Sequence, residues 1–228
     1  MNMIKHTLFA TFFFSALGIL QAQNVIIPDT NFKSYLLGNS MINSNSDSEI
    51  QLGEAQSFSG VINCIYQSIT DLTGIESFTY LTGLNCSNNK LTNIDLSSNS
   101  NLLELNCSNN QLTNLDISAN SSLIELNCSY NQLTNLNVNA NTSLTNLNCG
   151  ANLLTALDVS NNPLVSLSFA QNMITSIDIS NNIFLSIFFG NFNQISSLDL
   201  SNNSALTIIA CANNQLSNLD VSNNSNLT

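Results

Sequence analysis

From about Val61 to the end of the chain, apolar residues follow two superimposed rhythms. Over short spans they alternate with polar residues, as in Leu105-Asn106-Cys107 and Leu115-Asp116-Ile117. Over long spans the whole pattern returns every 20 to 22 residues. Short alternation predicts a strand with one buried face, and a fixed long period predicts stacked units that bury one another. Two consecutive units read LTNIDLSSNSNLLELNCSNNQ (Leu91–Gln111) and LTNLDISANSSLIELNCSYNQ (Leu112–Gln132). Each holds two half-turns of the form L-x-x-L-x-[LIVC]-x-x-N. Leu91, Ile94, Leu96 and Asn99 make one; Leu102, Leu105, Cys107 and Asn110 make the other.

Two asparagine columns run the length of this array. One is Asn89, Asn110, Asn131, Asn152, Asn172, Asn193 and Asn214; the other is Asn99, Asn120, Asn141, Asn162, Asn182, Asn203 and Asn224. A buried Asn offers donors and an acceptor. Stacked in register, each is expected to bond backbone groups at the turn of its own and the next coil. The N-x-S/T triplets follow from the repeat and carry no separate meaning.

Cysteine obeys the same period. Cys64, Cys86, Cys107, Cys128, Cys149 and Cys211 recur at intervals of 22, 21, 21, 21 and 62 residues, the last being three repeats. Side chains in one column of a parallel ladder point the same way, which is poor geometry for an S–S bond. The six thiols are therefore expected to be buried small hydrophobes, with pairing between neighbouring coils the remaining alternative.

The run LxxLxCxxNxLTxLDVSxN resembles the bacterial leucine-rich-repeat family, including internalin-like and effector-type short repeats, over about 168 of 228 residues. The resemblance implies a mostly β, right-handed leucine-rich-repeat solenoid with parallel strands on one face, stacked at ~4.8 Å. The second half-turn, LDVSxN, is as strand-like as the first and the helix-forming convex segments of many relatives are missing. A flattened solenoid with short strands on both sides is therefore expected.

Outside the array the pattern changes. Residues 1–22 have the form of a secretory signal: Lys5 in a short leading segment, an apolar run from Leu8 to Leu20, and a small-residue site at Gln21-Ala22. Its cleavage would leave Gln23 first and no membrane span. Residues 23–60 read as a helical N-terminal cap, with one helix capped by Asp29 or Thr30 and another starting near Leu52. Between them Asn43–Glu54 resembles an EF-hand or dockerin-like calcium loop at Asn43, Asn45, Asp47, Glu49 (through its backbone), Ile50 and Glu54. Asn43 stands where such loops carry Asp, and Ser48 stands where they need Gly. The alternative is a degenerate cap that seals the first coil. Residues 61–228 are the solenoid. The chain stops at Leu227-Thr228 within a half-turn, so a longer product with further repeats and a cap is expected.

Composition narrows the function. The single His (His6) lies in the leading segment, and Arg and Trp are absent. Beyond residue 22, Lys33 and Lys90 stand against fourteen carboxylates. Such a surface repels nucleic acid. A Cys nucleophile has no His to activate it, and thiols spread one per coil do not make a zinc cluster. No enzyme and no cofactor is expected, calcium apart. Asp95, Asp116, Asp158, Asp178, Asp199 and Asp220 form an outward column, interrupted by Asn137. It is either a solvated acidic face or a site for cations or a basic partner. The opposite outward column, Asn85, Asn106, Asn127, Asn148 and Ser168, corresponds to the sheet face by which relatives bind.

One coil departs from the rest. IFLSIFFGNFNQ (Ile183–Gln194) fits two registers. In one, Phe184, Ile187 and Phe189 face inward with an insertion near Phe192, which aligns better with the preceding LVSLSFAQN. In the other, Leu185, Phe188 and Gly190 do, without an insertion. Tyr130, Phe188 and Phe192 are the candidates for an exposed apolar, partner-binding patch. The expected function is a secreted or cell-surface recognition module for a protein or glycan ligand. The alternatives are a passive spacer or adhesin stalk, and a calcium-dependent surface protein.

Overall fold

A computed structural model describes residues 23–228; the expected signal lies outside them. The described residues begin with helix α1 (Thr30–Leu37) and helix α2 (Leu52–Ser57). Eight three-residue strands follow: β1 (Val61–Asn63), β2 (Gly83–Asn85), β3 (Glu104–Asn106), β4 (Glu125–Asn127), β5 (Asn146–Asn148), β6 (Ser166–Ser168), β7 (Ile187–Phe189) and β8 (Ile208–Ala210). They form one parallel sheet in chain order, a solenoid of about seven turns. Leu84, Leu105, Leu126 and Leu147 occupy one inward column and pair directly across the ladder. All are buried, as are Cys64, Cys86, Cys107, Cys128 and Cys149. Each buried Leu contributes roughly 1.5–3 kcal/mol by leaving water, but only because a neighbouring coil covers it.

The second half-turn is a correction to the sequence reading: it forms no strand ladder. Its backbone donors are taken locally. Ser97 N–H goes to Asp95 Oδ1 (2.9 Å), Asn99 N–H to the Leu96 carbonyl (3.0 Å) and Leu102 N–H to the Asn99 carbonyl (3.2 Å). Asp and Asn side chains compete with sheet bonding in this way, so the apolar alternation survives without the strand pairing. Between coils on this side the recurring backbone bond is one per turn, such as Gln111 N–H to the Leu91 carbonyl at 2.8 Å.

Asparagine amides supply the rest of the inter-coil bonding, and the two columns differ. Asn110 Nδ2 donates to the carbonyls of Cys86 and Cys107, both at 3.1 Å, and its Oδ1 accepts Leu91 N–H at 3.0 Å. It thus ties its own coil to the one before. In the second column Asn120 Nδ2 donates to Leu96 (3.1 Å) and Asn99 (2.9 Å), both in the preceding coil. Its own coil receives nothing from the side chain, contrary to the sequence expectation. The Oδ1 atoms of Asn99, Asn120, Asn141, Asn162, Asn182, Asn203 and Asn224 are buried and accept no hydrogen bond from the protein.

The aromatic coil adopts the register without an insertion. Leu167 pairs with Phe188, and Leu185 and Phe188 are fully buried. Phe188 is therefore core, not an exposed patch residue. The reason is a size exchange in the thiol column. Phe169 takes the place of a Cys there, and Gly190 takes the same place one coil on. A Cβ on Gly190 would lie 2.7 Å from Phe169 Cζ and 2.9 Å from a Phe188 ring carbon. The missing side chain makes room for the two rings, which meet edge to face at 5.2 Å. Phe184 and Phe189, inward in the other register, are on the surface.

At the N-terminal end, Asp29 caps α1 through bonds from Asn31 and Phe32 N–H, both 2.9 Å. Its other oxygen accepts Thr70 N–H and Oγ1–H, both 2.8 Å, and Tyr35 Oη accepts Asn63 N–H at 3.0 Å. These contacts dock the helical segment on the first coil.

Three outcomes follow for the core. Asn110→Ala strands one buried N–H and two carbonyls and should cost about 2–3 kcal/mol in urea unfolding, whereas exposed Asn101→Ala should cost less than about 0.5 kcal/mol. Gly190→Ala should cost about 1–3 kcal/mol by overpacking in urea unfolding, because the new Cβ meets both the Phe169 and the Phe188 ring. Burial pushes the thiols of Cys64, Cys107 and Cys149 up to about 12, so at pH 8 a thiol reagent should leave the five buried cysteines untouched in the folded protein. Half-buried Cys211 should react first, and all six should react in denaturant.

Candidate recognition surface

The outward side chains of the sheet form a shallow trough of about 480 Å³, lined among others by Glu104, Asn106, Glu125, Asn127, Asn146 and Ser166. Parallel register places Glu104 directly beside Glu125, an arrangement in which like charges repel. Asn146 Nδ2 donates to Glu125 Oε1 at 3.0 Å. The column Asn85, Asn106, Asn127 and Asn148 lines the far side. These asparagines also close the strands: Asn106 Oδ1 accepts both N–H (3.1 Å) and Oγ–H (2.7 Å) of Ser108. They are structural as well as surface residues.

The acidic column on the opposite side is likewise built into its turns. Asp95, Asp116, Asp158, Asp178, Asp199 and Asp220 each accept the N–H of the Ser two residues on at 2.9–3.0 Å. For Asp95 the Ser97 N–H, followed by its hydroxyl, holds the carboxyl below the usual carboxylate range; the neighbouring Asp116 charge opposes this only weakly. Asn137 fits the same column because its Oδ1 accepts Asn139 N–H at 3.0 Å. An acceptor oxygen is what the turn requires; a charge is not.

Asn43, Asn45, Asp47, Glu49 and Glu54 of the calcium-like loop are bonded within the loop and to the helices beside it, except Asn43 Oδ1, which is buried and accepts no hydrogen bond from the protein. Asn43 Nδ2 donates to the carbonyls of Leu37 (3.2 Å) and Asp47 (3.0 Å). Asp47 accepts from Glu49 N–H (2.8 Å) and Gln51 Nε2 (2.9 Å), and Asn45 Nδ2 bridges Asp47 and Gln51. Glu49 pairs with Lys33 Nζ at 2.7 Å. Glu54 accepts Ser44 N–H (2.8 Å) and, as a capping box for α2, Gln51 N–H (3.0 Å). In this arrangement the carboxylates close the loop and start the helix.

The remaining sequence candidates, Tyr130 and Phe192, are both exposed. They share a column that the sequence pattern did not single out. Tyr66, Asn88, Asn109, Tyr130, Ala151, Gln171, Phe192 and Asn213, one per coil, all have φ between 52° and 59°. Asn enters this left-handed region readily, whereas a bulky side chain costs about 1 kcal/mol or more. The clue available in the sequence was the step before each ladder asparagine, where Asn alternates with unlike residues.

No family model matches the chain. Internalin J of Listeria monocytogenes is 40% identical over 84 residues, which is 36% of this chain and 9% of that protein. The solved functional domain of InlJ from the same organism, described as including a cysteine ladder, superposes with a TM-score of 0.70 at 33% identity, covering 90% of this chain and 52% of that one. Internalin C2 of the same species superposes at 0.79 with 21% identity over 90% of this chain and 96% of its own, a likeness of fold alone. The chain thus spans about half of the solved InlJ domain and under a tenth of the curated Internalin J. With its single parallel sheet, its in-register thiol column and these likenesses, the chain is an internalin-like leucine-rich-repeat protein.

Proposed function

We propose that this chain is a secreted or cell-surface recognition module that binds a protein partner across its sheet face, not an enzyme. The observation that carries the reading is the trough itself. Eight strands in strict register hold a row of polar side chains on a backbone tied by a continuous hydrogen-bonded ladder, and a pre-organised surface loses less entropy on binding. The fold is one commonly used for protein binding. Among the described residues no helix is long and apolar enough to cross a membrane. The competing reading is a spacer, favoured by the near-identity of Glu104-Leu-Asn106 and Glu125-Leu-Asn127 in successive coils.

Filling the trough separates the two. The side chains of Glu104 and Ser166 make no hydrogen bonds within the coil, so Glu104→Trp with Ser166→Trp should leave the melting temperature unchanged. Immobilised chain would be presented to a panel of purified extracellular proteins and, in parallel, of glycans. At least one protein should bind, and at least tenfold (about 1.4 kcal/mol) less tightly to the filled variant. Equal binding to both forms would remove the sheet face from the reading. Absence of any binder would leave the spacer.

A further inference from the structure

One corner of the solenoid, at the end of the strands and beside the trough, departs from its neighbours over four consecutive coils. Tyr130, Leu153, Met173 and Phe192 belong to the fourth, fifth, sixth and seventh coils and are 61, 46, 39 and 53% exposed. In the second, third and eighth coils the same two columns carry Asn88 with Lys90, Asn109 with Gln111, and Asn213 with Gln215. The repeat can therefore be polar in both columns, whereas each of these four coils places one large apolar side chain in one of them, beside Gln132, Ala151, Gln171 and Gln194 in the other. The backbone makes the contrast sharper. Tyr130 and Phe192 hold left-handed geometry that Asn holds more easily in the flanking coils. Local strain kept at an exposed site points to use of that site.

The corner has a shape. Backbone bonds from Tyr130 to Gly150 (2.9 Å), Ala151 to Ala170 (2.8 Å) and Gln171 to Asn191 (2.9 Å) carry the strand spacing around it. Three coils apart, Tyr130 and Phe192 are therefore roughly 14 Å from each other along the stack. Between them lie the small residues Gly150, Ala151 and Ala170 and the exposed Gln171. A helix with its side chains is roughly 10–12 Å across. The corner segments of these four coils carry no charged side chain, while the flanks are acidic: Glu125 on the sheet side, Asp158 and Asp178 on the other.

We propose that this corner is the docking site for an amphipathic, basic helix of a protein partner. Its apolar face seats between Tyr130 and Phe192 on Leu153 and Met173, and its lysines or arginines face the acidic flanks. A second copy of this chain, equally acidic, does not meet that description. The proposal rests on the recognition reading and adds to it an apolar contact at the corner beside the sheet face.

The probe is a fluorescent 14-residue peptide of Leu and Lys patterned as an amphipathic helix, with a Leu/Glu counterpart and an all-Lys peptide as comparisons. The full chain should bind the Leu/Lys peptide at least tenfold more tightly than either comparison. The variant Tyr130→Asn, Leu153→Gln, Met173→Gln, Phe192→Asn keeps the net charge and should lose at least tenfold in affinity. It should also melt at or above the temperature of the parent, because each change restores the residue that other coils use. A side chain that only supports the fold would move stability the other way. Phe192→Asn alone should show both effects in smaller measure. Unchanged affinity of the fourfold variant overturns the proposal, as does a loss of affinity seen only with a lowered melting temperature. Equal binding of the all-Lys peptide also overturns it. Loss confined to the Glu104→Trp, Ser166→Trp variant places the peptide on the sheet face, which sinks the corner and leaves sheet-face recognition standing.

Discussion

Everything in this molecule depends on an asparagine side-chain amide reaching a backbone carbonyl in the coil before its own. A solenoid turn every ten or so residues leaves carbonyls that no strand partner can reach, and burying them unpaired would cost about 1–3 kcal/mol each. Asn110 and its equivalents bond two such carbonyls and accept an N–H in return. The inward leucines and thiols then fill the space that this bonding encloses. The order of causes matters: the apolar column gives the energy of association, and the amide column gives the register in which it is spent.

The second amide column shows the limit of that solution. Its Nδ2 groups are used fully and its Oδ1 atoms are not used by the protein at all. The difference follows from the turn. Asp95 takes the Ser97 N–H, and the Leu96 and Asn99 carbonyls take those of Asn99 and Leu102, so none of these is left to face the amide oxygen. The same local bonds prevent a second sheet. Acidic column, absent strands and unpartnered oxygens are three views of one turn.

Much of this was legible in the sequence. The period, the parallel stacking, the unpaired thiol column and the helical segment before it all follow from spacing and side-chain type. The second strand was misread because alternation reports which side chains are buried and says nothing of where N–H groups go. The aromatic coil fitted two registers, and Phe188 was expected on the surface because the register with an insertion aligns better with LVSLSFAQN. The deciding fact was the volume of Phe169 in the preceding coil, which only Gly190 accommodates. The left-handed column was invisible for a different reason: its residues share a backbone conformation and no chemistry. Tyr130 and Phe192 stood out as aromatics, but Leu153 and Met173 needed the stacking to become their neighbours.

The unequal bonding of the two sides has a mechanical consequence. The sheet side is tied by a continuous ladder of backbone bonds, the other by one backbone bond per turn and a half-used amide. Under load the ladder side resists extension and the far side gives, so the stack bends about an axis lying in the sheet. Separations between residues on the ladder side then stay nearly constant while those along the aspartate column open and close. The molecule is a ruler on one edge and a spring on the other, and whatever reads the ruler meets the same spacing however the spring is drawn.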